Sequence, residues 1–471
     1  MITTLKPYPK YKDSSVPWLG DVPEHWEVRR LKTLLRERIE KGYPDLPLLA
    51  ATQTKGVVRK EKYENRTVLA LKDLHLLKLV RRKDFVISLR SFQGGIEYAR
   101  DQGIISPAYT ILYPIDSKMH GYLAKLFKSY PYIENLKLHV TGIRQGQNID
   151  YEKLSRSLAP LPPLPEQTAI VRFLDWADRR IRRVIRLRNQ RIKLLEEYKQ
   201  ALIHQAVTGR IDVRTGKPYP KYKDSGVEWL GQVPEHWEVL SVKRVYSIQL
   251  GKMLQPSRKT KDDILVPYLK AIHVQWTGVI VEDLPMMWAS PKEILQYEVR
   301  PGDLLVCEGG EGGRCAIITS ADGTVIIQNA LHRVRPTNQS KNEYLRPVLQ
   351  SISSIGWFEV LNDKATIAHF TREKFAALEI PLPPLPEQTA IVDFLDNQTQ
   401  KIDETIAATR REIDLLKEFR TRLIADVVTG KLDVREAAKK IPEEMPEQET
   451  AEDNEGSGEI SLETVFEEAE I

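Results

Sequence analysis

Apolar residues at Ile170, Leu174, Ala177, Ile181, Val184, Leu195, Tyr198 and Leu202 recur at alternating four- and three-residue steps, in a stretch with no proline between Pro165 and Pro218 and no glycine before Gly209. That spacing is a heptad seam and predicts one long helix. Pro165 and Glu166 suit its first turn, where a missing N–H costs nothing and a carboxylate meets the positive helix end. Val207-Thr208-Gly209 supplies the glycine that stops it. The pattern returns 221 residues later: Leu382 to Val392 repeats Leu161 to Val171 residue for residue. Ile391, Leu395, Ile402, Leu416, Phe419 and Leu423 form a second seam, closed by Thr429-Gly430.

The whole chain is a duplicate. Lys6 to Val28, which contains Pro-Glu-His-Trp-Glu, reappears at Lys217 to Val239 with three differences and an offset of 211, so the second half holds ten more residues between block and helix. A period above 200 residues is a domain duplication, since solenoid repeats run from about 20 to 50 residues. Between block and helix lie two inserts, residues 29–159 and 240–380, that differ almost completely. Each mixes short β-branched or aromatic runs with Gly-, Pro- and Asp-rich turns. The runs include Asp84 to Leu89, Tyr109 to Tyr113, Asp303 to Cys307 and Thr324 to Gln328, while residues 121–130 and 343–353 have helical spacing.

The expected fold class is α+β: a tandem duplication of an α+β domain and a long helix, the two helices pairing as an antiparallel coiled coil with pseudo-twofold symmetry. The expected boundaries are a first domain over 1–160, a helix over 161–209, a second domain over 210–380, a helix over 381–435 and a tail over 436–471. The seams turn polar at Arg188 and Arg191 in one helix and at Thr409 and Glu412 in the other. Antiparallel pairing brings Arg188 to Glu412, and a polar layer of that kind fixes register. Chain direction then puts the two domains at opposite ends of the helix pair.

Charge adds a partner class. The formal net charge is only +5, but the residues after Lys440 hold twelve acidic groups and no Lys or Arg; the rest carries 70 basic against 53 acidic residues, a net +17. A body that basic suits a polyanion, because each cation beside a phosphate releases condensed counterions. The tail, acidic and low in complexity, is expected to be disordered. The N-terminus has no apolar run of signal type, and no window approaches the roughly 18 apolar residues of a membrane span, so a cytoplasmic protein is expected.

Candidate chemistry is sparse. Cys307 and Cys315 have no partner Cys or His at zinc spacing. No Gly-Lys pair has the upstream glycine and following hydroxyl of a phosphate loop. Phe92-Gln-Gly-Gly95 and Ser106-Pro-Ala-Tyr109 faintly suggest the motifs of amino-group DNA methyltransferases, but the roughly ten residues between them cannot hold a dinucleotide-type cofactor site. In Gly309-Gly-Glu-Gly-Gly313, Glu308 and Glu311 would repel a phosphate, so this run is expected to turn between two strands. Recognition without chemistry remains. Arg59, Lys60, Lys62, Arg81, Arg82 and Lys83 in the first insert, and Arg258, Lys259 and Lys261 in the second, are candidates for phosphate contact. For reading bases the useful types are Arg toward guanine and Asn or Gln toward adenine. Arg144, Gln145, Gln147 and Asn148 carry them in the first insert, and Arg314, Gln328, Asn329 and Arg333 in the second.

Leu-Pro-Pro-Leu-Pro-Glu-Gln at the head of each helix, Val-Thr-Gly at its foot and Pro-Glu-His-Trp-Glu at the start of each half strongly resemble the specificity subunits of type I restriction-modification enzymes. The resemblance covers nearly all of residues 6–435. Gly302 to Val306 with Gly312-Gly-Arg314, and Ile105 to Tyr109, also look like segments of that family's target recognition domains. It implies that each insert reads one half of a split double-stranded DNA sequence and that the helices dock two methyltransferase subunits. Cleavage and ATP use would lie in restriction (motor) subunits. It implies no catalysis and no cofactor in this chain; S-adenosylmethionine, ATP and magnesium belong to the partners. The rival classes are a stand-alone DNA-modifying enzyme such as a methyltransferase, which would need a site the sequence does not offer, and a coiled-coil scaffold, which would need neither a body of +17 nor two unlike inserts.

Overall fold

A computed structural model describes residues 5–62, 73–141, 148–321, 323–337, 339–361 and 370–442. The acidic tail beyond 442 and the candidates Arg144, Gln145 and Gln147 lie outside the described residues. The chain divides into two compact units, Met1–Asn189 with Arg410–Ile471, and Gln190–Thr409. Among the described residues no helix is long and apolar enough to cross a membrane.

The two long helices run Leu164–Val207 and Leu385–Val428, 44 residues each. Gly209 and Gly430, at φ +71° and +79°, end them in left-handed geometry. A Cβ at either position would sit 2.4 Å from a proline ring, Pro234 or Pro23. The strict heptad requires a correction. Val184 and Tyr198 are exposed; Ile185 is half-buried in place of the first, and the stripe continues through the half-buried Arg188 to the buried Ile192. In the second helix Phe419 is exposed, and Ile406, Thr409 and Ile413 are buried. Both helices thus take one four-residue step where the heptad calls for three, from Ile181 to Ile185 and from Ile402 to Ile406. An α-helix of 3.6 residues per turn drifts against a 3.5-residue seam, and such a step resets the phase.

Within the first unit the helices run antiparallel: Arg420 pairs with Asp178, and Arg188 Nε lies 3.0 Å from Glu412 Oε2. Within the second unit Lys199 Nζ reaches Asp403 at 2.6 Å. The Arg188–Glu412 pair is half exposed, so each single reversal, Arg188→Glu or Glu412→Arg, is expected to cost about 0.5–1 kcal/mol. The double reversal should recover most of that loss in thermal unfolding. A double variant as unstable as the two singles combined would remove any role for the pair in register.

The repeated blocks close the domains. In the first unit Tyr11–Asp13 pairs with Asp21–Pro23, and Glu27–Arg30 pairs antiparallel with Leu158–Leu161, the segment leading into the helix. In the second, Tyr222–Asp224 pairs with Gln232–Pro234, and Glu238–Ser241 with Glu379–Leu382. Each insert therefore leaves and returns through one two-stranded ribbon, which lets its sequence change while the frame stays fixed.

Beneath each ribbon sits a buried carboxylate. Glu166 accepts hydrogen bonds from Tyr8 Oη at 2.5 Å and Trp26 Nε1 at 2.9 Å, and lies 2.8 Å from His25 Nε2. Glu387 accepts from Trp237 Nε1 at 2.7 Å, lies 3.0 Å from His236 Nε2 and is 2.5 Å from Arg214 Nη2. Burial and the bond to Glu166 push the Tyr8 hydroxyl well above the usual phenol range. The head of one helix and the foot of the other meet the same domain: in the first unit Ile170, Phe173 and Leu174 share a core with Trp26, Phe127, Leu423 and Val427. The Tyr122 hydroxyl lies 3.1 Å from Pro160 O and 3.0 Å from Val428 O. In the second unit Tyr344 does the same, 3.1 Å from Pro381 O and 3.4 Å from Val207 O.

The inserts share a plan that their sequences hide. In the first, a four-stranded antiparallel sheet has the order Leu35–Arg38, Thr110–Pro114, Phe85–Ile87, Glu97–Tyr98. In the second the order is Tyr246–Leu250, Leu331–Pro336, Leu304–Cys307, Cys315–Ile317. Each strand keeps its place, counted along the chain.

Candidate nucleic-acid interface

In the second insert the strand ends Leu250, Leu331, Cys307 and Cys315 lie on one rim of the sheet, joined by the pairs Leu250↔His332, Cys307↔Leu331 and Val306↔Cys315. The segments leaving this rim are bonded to one another. Lys252 N donates to Ile327 O at 2.8 Å, Asn329 N to Lys252 O at 2.9 Å and Glu308 N to Ala330 O at 2.9 Å. Lys252 Nζ then reaches Gln255 Oε1 at 3.0 Å, and Gln255 Nε2 donates to Asp263 Oδ2 at 2.7 Å. Asp263 also accepts from the Thr260 hydroxyl at 2.6 Å and Lys259 N at 2.9 Å. Those bonds, the Thr260 hydroxyl first, hold its carboxyl well below the usual carboxylate range. The loop bearing Arg258, Lys259 and Lys261 is thereby fixed to the rim, with both lysines exposed. The Arg258 guanidinium lies 5.6 Å from the Trp288 ring centre and donates to Thr260 O at 3.0 Å. Three groups that are far apart in sequence, Arg258 to Lys261, Gln328 with Asn329, and Arg314, meet at this one rim.

Arg333 does not join them. It is buried inside the domain, and Nη1 donates to Gln296 O at 3.0 Å and also to Glu298 O. Burial inside the domain keeps it from a base edge, so it is withdrawn as a base-reading candidate. Arg314 is held as well, with Nη2 3.1 Å from Ala271 O and Nη1 3.1 Å from Glu311 Oε2. It thereby holds Glu311, whose other oxygen accepts from Trp276 Nε1 at 2.7 Å.

In the first insert the cationic candidates gather at the opposite end of the sheet. Lys83 N donates to Ala99 O at 2.8 Å, Arg100 N to Val57 O at 3.0 Å and Arg59 N to Asp101 Oδ2 at 3.1 Å. Arg82 Nη2 comes within 4.0 Å of Asp101 Oδ1. Arg59, Arg82, Lys83 and the exposed Arg100 thus surround Asp101, and Arg100 belongs to a cluster that sequence reading missed because only the fold brings residues 59, 82 and 100 together. Lys60 opens the short Lys60–Lys62 turn beside Arg59; the Lys62 side chain is outside the described set. Asn148 lies in a strand opposite Thr141.

Arg81 belongs to the turn itself. Its N–H donates to Asp84 Oδ2 at 2.8 Å, and its guanidinium reaches Glu40 at 2.9 Å. The second insert builds the same turn from Arg300 to Asp303: Arg300 N donates to Asp303 Oδ2 at 2.8 Å, and Gly302 N to Ile318 O at 2.8 Å. Lys83 and Gly302 are both left-handed, at φ +73° and +91°. Each aspartate is clamped by an arginine from the sheet, Arg38 Nε to Asp84 at 2.8 Å and Arg335 Nε to Asp303 at 2.6 Å. The Arg81 to Asp84 cluster is therefore accounted for by the fold, whatever else its exposed members touch.

The description type I restriction modification DNA specificity domain matches residues 234–415. The type I restriction enzyme MjaVIII specificity subunit of Methanocaldococcus jannaschii is 24% identical over 446 residues, covering 88% of this chain and 94% of its own length. Both matches are to type I specificity subunits or to their DNA specificity domain. The fold agrees. A solved chain from work on complex assembly and conformational transition of the type I R-M system covers 87% of this chain and 99% of its own, with 20% identity and a TM-score of 0.64. The HsdS subunit from Thermoanaerobacter tengcongensis covers 87% of this chain and 98% of its own, with 18% identity and a TM-score of 0.51. The chain thus shares its fold with these solved chains over most of its length. Both clusters of cations lie in its inserts, outside the repeated ribbons and helices.

Proposed function

We propose that this chain is the DNA-reading subunit of a type I restriction-modification complex. Each insert reads one half of a bipartite, asymmetric target in double-stranded DNA, and the helices set the gap between the halves. The helices also dock two methyltransferase subunits, and restriction subunits join that assembly in the cytoplasm. The chain itself is non-catalytic and holds no cofactor; S-adenosylmethionine, ATP and magnesium act in the partners. The observation that carries this reading is the pair of inserts, unlike in sequence yet built on one sheet plan within a duplicated frame. Two readers of different sequences need that combination, whereas a scaffold gains nothing from it.

Co-expression with candidate partners tests it. Two methyltransferase subunits should purify with one copy of this chain, and the assembly should methylate DNA. Methylation by this chain alone, or an assembly without methyltransferase subunits, would contradict the proposal.

A further inference from the structure

The shared turn permits a residue-by-residue alignment of inserts that sequence comparison cannot align. Lys83 matches Gly302 and Asp84 matches Asp303; on the neighbouring strand, Ala99 matches Ile318 through the same backbone bonds. The strand registers agree, Phe85↔Tyr98 in the first insert corresponding to Leu304↔Ile317 in the second. The offset is 219 throughout. The two hairpin loops between these strands, Ser88 to Gly95 and Cys307 to Arg314, therefore have the same length. They share one identity, Gly94 with Gly313, and both glycines are packed so closely that an added Cβ would lie 2.7 Å from the Gln53 side chain or 2.3 Å from the Phe358 ring.

Both loops are pinned at the base and open at the tip. In the first, Lys128 Nζ bonds Gly94 O at 2.7 Å, Gln53 O at 3.1 Å and Glu97 Oε1 at 2.7 Å. Burial pushes the Glu97 carboxyl up to about 7 in spite of that lysine. Arg90 and Gln93 are exposed on the tip. In the second, Trp276 and Arg314 hold the exposed Glu311. A fixed frame with a tip that differs between copies is what two readers of different half-sequences require. A carboxylate is a poor phosphate ligand but a good acceptor for the cytosine amino group, as Arg suits guanine and Gln suits adenine.

We infer that these two hairpin loops are the base-reading elements. Arg90 and Gln93 contact a purine edge in one half-sequence, and Glu311 accepts from a cytosine amino group in the other. The assignment rests on the proposed function and deepens it. The Arg81 to Lys83 turn, at the other end of the first sheet, stays a candidate for phosphate contact.

The complex with its methyltransferase subunits, carrying Arg90→Ala, Gln93→Ala or Glu311→Gln, would be given a randomised DNA library and the methylated sequences read. Arg90→Ala and Gln93→Ala should each relax a position in one half-sequence only, and Glu311→Gln a position in the other only. Discrimination at the affected position should fall roughly 5- to 150-fold. Loss of affinity spread evenly over all sequences, with a shallower salt dependence, would mean phosphate contact and overturn base reading. An unchanged target in all three variants, with methylation intact, would overturn the assignment while leaving the function standing. A wild-type complex that selects no sequence would overturn the function itself.

Discussion

Glu166→Ala is expected to be among the most destabilising single substitutions outside the inserts. It strands the Tyr8 hydroxyl and the Trp26 indole N–H, both buried, and removes the partner of His25. A buried donor left without an acceptor costs about 1–3 kcal/mol, and breaking a buried network from one side about 3–5 kcal/mol. Glu166→Gln keeps one carbonyl oxygen and should cost roughly half as much. Glu387→Ala should destabilise the second unit by less: it strands the Trp237 indole N–H, while the half-exposed Arg214 keeps both of its bonds to Asp212. Calorimetry of each variant measures the loss, and using both variants guards against unfolding that is not two-state. A change below about 1 kcal/mol in either would mean that the domain closes on its ribbon without the carboxylate.

The helices were legible because proline and glycine punctuate them and little in between breaks a helix. Their exact facing was not: Val184 and Tyr198 fit a heptad on paper, and only packing against a partner helix forces the four-residue step to Ile185. The Glu166 and Glu387 networks left a trace, since Tyr8, His25 and Trp26 return as Tyr219, His236 and Trp237 among blocks that differ at three positions. Residues kept in both halves while the inserts diverged could have been read as bonded to the repeated glutamate. Within the inserts the sequence showed residue types and hid their location. Arg333 sits in a strand buried on both sides, and nothing local separates it from a solvent-facing arginine. Which rim a cation occupies depends on strand order, which is decided by pairings between residues far apart in the chain. The common plan of the two inserts was invisible for the same reason: backbone bonds such as Lys83 to Ala99 and Gly302 to Ile318 need no shared side chain.

The central proposal, two readers separated by a helical spacer, is tested most directly by lengthening the spacer. Seven residues inserted after Asn189 and after Thr409 keep the phase of both seams and leave the contacts inside each unit in place. Seven helical residues add roughly 10 Å, equivalent to about three base pairs at 3.4 Å each. The complex with methyltransferase subunits, wild-type and lengthened, would be mapped by the DNA positions it methylates. The wild type should select two unlike half-sequences around an unspecified gap, and the lengthened chain the same half-sequences around a gap about three base pairs wider. An unchanged gap, or a single continuous target in the wild type, would contradict the account.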